Sequence, residues 1–161
     1  MNSEEMRDKA QKLFKKGLHW SQVILAVGQE KIGDIDETAI KALGAFGGGI
    51  ASSGNVCGIL IGGIAAISSI YSRGNLDEKE NPRLWSASSK FLKKFEELTS
   101  NFGSMNCRDI AKVDWKNKVE VKNYYVNPLS SRKICMKLVG DAAHALGELI
   151  DQQLEKDKEK S

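Results

Sequence analysis

The sequence has no C-x-x-C pair, no C-x-x-C-H, no apolar leader and no unbroken apolar run of twenty residues. Each absence removes a class of protein. Without C-x-x-C-H there is no covalent c-type haem attachment. The polar, acidic start (Met1-Asn-Ser-Glu-Glu-Met-Arg-Asp) carries no secretion signal, so a reducing cytoplasm is expected. Three cysteines, at 57, 107 and 135, are an odd number set far apart and make a poor disulfide framework. Clustered basic charge is also missing: the net charge is +3, but the lysines alternate with acids along helical stretches. That pattern describes a solvated surface rather than a nucleic-acid footprint. Gly49-x-x-x-x-Gly54 lacks the Lys-Ser/Thr of a phosphate loop, and the glycines at 44–49 do not make G-x-G-x-x-G. No period of 20–50 residues repeats and no internal linker interrupts the chain. Its 161 residues are therefore expected to form one domain with a polar tail from about 155.

What is present is an uncharged stretch, residues 42–72, split by Ser-Ser-Gly-Asn into a glycine-rich loop and an apolar helix at about 56–71. At about sixteen residues, that helix is shorter than the roughly twenty needed to span a membrane. It is apolar on every side, so other helices should enclose it. Gly58, Gly62 and Gly63 each cost about 1 kcal/mol of helix propensity relative to alanine. Their expected compensation is close approach of a neighbouring backbone or a cofactor. The same uncharged helix and its glycines favour a homodimer.

The remaining elements follow from periodicity and caps. Ser3 caps a first helix that carries Met6, Ala10, Leu13 and Phe14 and ends at Gly17. Ser21 caps a second, stopped at Gly33, and Asp34 or Asp36 a third bearing Ala39, Ile40, Leu43 and Phe46. Pro82 opens a helix whose inner face is Leu84, Ala87, Phe91, Leu92, Phe95 and Leu98. Ser104 caps a short helix at about 105–111, and residues 113–128 are expected to be loop. A last helix runs from Arg132 to about Lys156, its stripe including Ile134, Cys135, Leu138, Leu146 and Ile150. His144 is expected to face solvent, and Trp20, Trp85 and Trp115 to anchor core or interface. The expected fold class is all-α, a compact bundle of about six helices around the glycine-bearing helix.

The cysteines share a local setting. Cys57 and Cys107 lie in first turns of helices and Cys135 near the start of the last one. Free amides and the helix dipole there favour a thiolate or the negative charge of an iron–sulfur cluster. The plain alternative is three buried thiols, since cysteine is among the most buried residue types.

The sequence resembles the C-GCAxxG-C-C family of redox proteins over roughly residues 6–150. The likeness is carried by Gly17-Leu-His-Trp-Ser-Gln22, Gly47-Gly48-Gly49, Gly54-Asn-Val-Cys57-Gly58 with Gly62, Phe102-Gly-Ser-Met-Asn-Cys107-Arg108, and Cys135 opening the final helix. It implies a helical protein that binds an iron–sulfur cluster or does redox chemistry, with Cys57, Cys107 and Cys135 as metal ligands and an unidentified redox partner. Gly47, Gly48, Gly49, Gly58 and Gly62 would shape the site. The first family cysteine is replaced by Trp20, and the alanine of the second motif by Ile59. Three states remain open: a [4Fe–4S] cluster on three thiolates with one open iron, a three-iron cluster, or a site that has lost its metal, with Trp20 in the vacated volume. His19 neighbours the lost position and is the candidate fourth ligand, a surface or capping role being its alternative. Against electron transfer stand a metal-free helical scaffold and thiol–disulfide exchange led by Cys57.

Overall fold

A helix without a charged residue needs partners on all sides. The computed structural model, which describes residues 1–161, supplies them. The helices are α1 (Ser3–Lys15), α2 (Trp20–Ile32), α3 (Glu37–Ala42), α4 (Gly58–Tyr71), α5 (Arg83–Thr99), α6 (Cys107–Ile110), α7 (Lys118–Val126) and α8 (Arg132–Glu159). The fold is all-α, and its only β pairing is one isolated bridge. Around α4 lie α2, α5 and α8, while α1 closes the far side against α8 and α2. Ile24, Ile59, Ile67, Phe91, Phe95, Leu146 and Ile150 fill the space between them. No helix is long and apolar enough to cross a membrane.

The glycines of α4 buy backbone proximity. A Cβ on Gly62 would stand 2.3 Å from both the Ser21 carbonyl oxygen and Ile24 Cγ2. Gly28 answers from α2, where a Cβ would meet that of Ala66 at 2.6 Å. The two helices thus cross with almost no side chain between them, and the lost propensity is offset by packing.

Helix α1 docks on α8 through Gly140 and Gly147 and through polar pairs. Arg7 bonds Asp141, and His144 Nε2 lies 3.0 Å from Glu4 Oε1. His144 is therefore half-buried between two helices and not solvent-facing.

Several boundaries differ from those expected. Asn2, not Ser3, caps α1, its side chain accepting the Glu5 N–H while Glu5 accepts the Asn2 N–H. Helix α2 begins one residue before Ser21, with His19 at its cap position, because the Ser21 hydroxyl turns inward and donates to Leu43 O at 2.7 Å. Phe46, Leu92, Trp85 and Ile134 are exposed. Leu92 and Ile134 each neighbour an inward residue, and the 100° step of a helix carries them off the core stripe. Helix α8 continues to Glu159, beyond the expected end near Lys156 and through most of the polar tail. The largest difference is α7, a helix where a loop was expected. Asn117 caps it by accepting the Val119 and Glu120 amides, and Tyr124 is its one buried residue.

Candidate functional site

Two cysteines are brought together by backbone. Residues 54–57 and 105–108 run antiparallel: Cys57 N–H donates to Met105 O at 3.0 Å, Cys107 N–H to Asn55 O at 2.7 Å and Arg108 N–H to Gly54 O at 3.0 Å. The Val56–Asn106 bridge lies between them. Helix α4 starts from one strand of this pairing, with Cys57 at its cap position, and α6 from the other, with Cys107 as its first residue. The third cysteine arrives on the first turn of α8, where the Ser131 hydroxyl bonds the carbonyl of Ala111 at the end of α6. All three are buried and free.

The thiols share one electrostatic neighbourhood. Burial pushes Cys57 far up, and the nearby Cys135 and Cys107 raise it further. Burial pushes Cys135 up to about 12, with Cys107 adding to it. Cys107 is also raised, again by burial. The expected low-pKa thiolate at Cys57 is thus corrected. The Ile59 and Leu60 amides do favour its ionised form, but loss of water outweighs them. A free, protonated, buried Cys57 is a poor attacking group for disulfide exchange.

Each sulfur nonetheless has a donor of its own. Cys57 has those two α4 amides. For Cys107 it is Trp115, whose indole Nε1–H donates to Sγ at 3.2 Å. Beside Cys135 lies the Tyr124 hydroxyl, which favours the thiolate there and has no well-formed hydrogen bond to any other group. Neither aromatic donor was found from sequence. Only the α7 cap at Asn117 hinted that the segment carrying Tyr124 is ordered.

The glycine loop encloses the site with an unusual backbone. Gly48, Gly49, Ile50, Ala51 and Ser52 all have φ between 50° and 71°, a left-handed turn in which three residues carry side chains. Left-handed backbone costs an L-residue roughly 1–2 kcal/mol. It is held by Ala51 N–H to Ala45 O (2.7 Å), Gly54 N–H to Gly48 O (3.0 Å) and Asn55 N–H to Gly49 O (2.9 Å). At Gly49 a Cβ would lie 2.5 Å from Asn55 O and 2.7 Å from Cys107 Cβ, so only glycine lets the turn approach the cysteine segment. Gly58 sits under Phe46 O, 3.0 Å from where its Cβ would be, and Gly47 lies against the His19 ring.

Trp20 stands away from water, stacked on Phe14 with ring centroids 3.3 Å apart. With His19, Gly47, Gly48 and Trp115 it lines a cleft of about 510 Å³. No three His, Cys, Asp or Glu side chains, His19 included, close on one point tightly enough to clamp a single metal ion.

No curated protein and no solved structure matches the chain. The family model described as "Putative redox-active protein (C_GCAxxG_C_C)" matches residues 19–149. That span takes in all three cysteines, Trp20 and the left-handed turn. The chain belongs to the C-GCAxxG-C-C family.

Proposed function

We propose that this is an electron-transfer protein whose Cys57, Cys107 and Cys135 thiolates hold an iron–sulfur cluster. The observation that carries the proposal is the Tyr124 hydroxyl. A buried hydroxyl without an acceptor costs roughly 1–3 kcal/mol. Ionisation of Cys135 on binding iron would turn its weakly accepting sulfur into a strong acceptor for that hydroxyl. Trp115 on Cys107 and the α4 amides on Cys57 repeat the same arrangement, and hydrogen bonds to ligand sulfur set a cluster's potential. Such a cluster supplies one-electron chemistry. The chain's own part is to exclude water, hold the sulfurs and give each a donor. Trp20 leaves the fourth corner without a thiolate.

Trp20 also favours a second reading. Its stacking on Phe14 fills volume that a ligand side chain would leave open, as in a scaffold without metal. Reconstitution with iron and sulfide in the absence of oxygen separates the two. A cluster protein gains broad visible absorbance and stoichiometric iron and sulfide, both lost in Cys57→Ser, Cys107→Ser and Cys135→Ser. A protein that stays colourless and iron-free overturns the proposal.

A further inference from the structure

Arg132 carries a charge that no carboxylate in the protein answers. It is the first residue of α8, half-buried, with no ion pair and no side-chain hydrogen bond, and its Nε is sealed from solvent without an acceptor. A guanidinium does not shed its proton in proteins, so burial cannot be relieved that way. Its neighbours are rings: Cζ lies 4.8 Å from the Phe14 centroid and 5.7 Å from that of Tyr125. Those rings, with Trp20 and Trp115, wall the cleft of about 510 Å³. Lys15 stands in the same lining, and no Asp or Glu does. An adjoining depression of about 550 Å³ shares Lys15, Tyr125 and Arg132 and is likewise free of carboxylates.

Contact with aromatic faces shelters a cation but leaves its N–H donors unused. An arginine fork that is unpaired, partly dehydrated and flanked by flat apolar walls suits a ligand with a planar body and an acidic group. The volume lies within the usual range for small-molecule sites, roughly 300–1,000 Å³. We propose that the cleft binds a planar aromatic anion, its rings against the aromatic walls and its carboxylate or phosphate on Arg132. The site stands without the redox proposal and extends it: Trp115 belongs both to the wall and to Cys107, so an occupant would be separated from that sulfur by one indole.

Calorimetric titration of the full chain with 2-naphthoate, 2-naphthyl phosphate and neutral 2-naphthol tests this. At least one anion should bind saturably, at least about tenfold more tightly than 2-naphthol, and the stronger of the two identifies the acidic group. Arg132→Gln should weaken that binding about tenfold or more, and Arg132→Lys should recover part of it. Lys15→Gln, on an exposed residue of α1, gives a second variant should Arg132→Gln not fold, and it should weaken the anions but not 2-naphthol. No saturable anion binding, equal binding of 2-naphthol, or undiminished binding in a folded Arg132→Gln overturns the proposal.

Discussion

The Tyr124 hydroxyl lies beside the Cys135 thiol in the protein interior and makes no well-formed hydrogen bond there, a neutral thiol being a weak acceptor. Tyr124→Phe should therefore act in opposite directions on two forms. Without metal, removing an unsatisfied hydroxyl should stabilise the fold by about 1 kcal/mol in denaturant titrations. In iron-loaded protein, loss of the donor should lower the reduction potential and hasten release of iron to a chelator. Equal destabilisation of both forms would show that the hydroxyl has another partner.

Stability of the metal-free protein should decline on the alkaline side. Unfolded thiols ionise near 9.0, whereas Cys135 holds its proton up to about 12 and Cys57 beyond that. Between those values the native state binds more protons than the unfolded one, so the free energy of unfolding falls as pH rises. The contribution is complete below about pH 9 and disappears upward. Each buried thiol adds a slope of at most about 1.4 kcal/mol per pH unit. Thermal midpoints from pH 7 to 11 measure it, and Cys135→Ser should fall less steeply. A flat profile contradicts the buried thiols.

At the α2–α4 crossing, Gly62→Ala sets a methyl group against the Ser21 carbonyl and Ile24. Backbone atoms cannot turn aside, so the loss should be about 2–3 kcal/mol in chemical denaturation. A change under 0.5 kcal/mol would mean that the two helices are further apart than described.

Ala51→Gly tests the left-handed turn. Relief of an unfavourable φ of 50° should exceed the extra entropy of an unfolded glycine, for a net gain of roughly 0.5–1 kcal/mol. Because Ala51 is exposed, little packing is lost. Destabilisation in the same titration would argue against positive φ at that residue.

The central helix, its glycines and the three cysteines at helix starts were legible because uncharged runs and caps are local signals. Helix α7 was not. Lys118-Val-Glu-Val-Lys alternates weakly, and only Tyr124 is buried, so no apolar stripe marks it. Asn117 followed three residues on by Glu120, with Pro128 just beyond the end, was its one readable mark. The protonation of Cys57 was hidden for a different reason. Position predicts the dipole and the free amides, but burial depends on what the distant chain lays over the sulfur, and here burial wins. The bridge at Val56–Asn106 joins segments about a third of the chain apart, which no periodicity within either one reports.

That bridge also dictates an order of assembly. Asn55 and Cys57 gain their partners only after Met105 to Arg108 have been synthesised, and the third sulfur follows on the last helix. Contacts of such long sequence separation must overcome loop-closure entropy before they stabilise the fold. A nascent chain therefore lacks the third thiol until Cys135 has emerged and the start of α8 has docked against the end of α6.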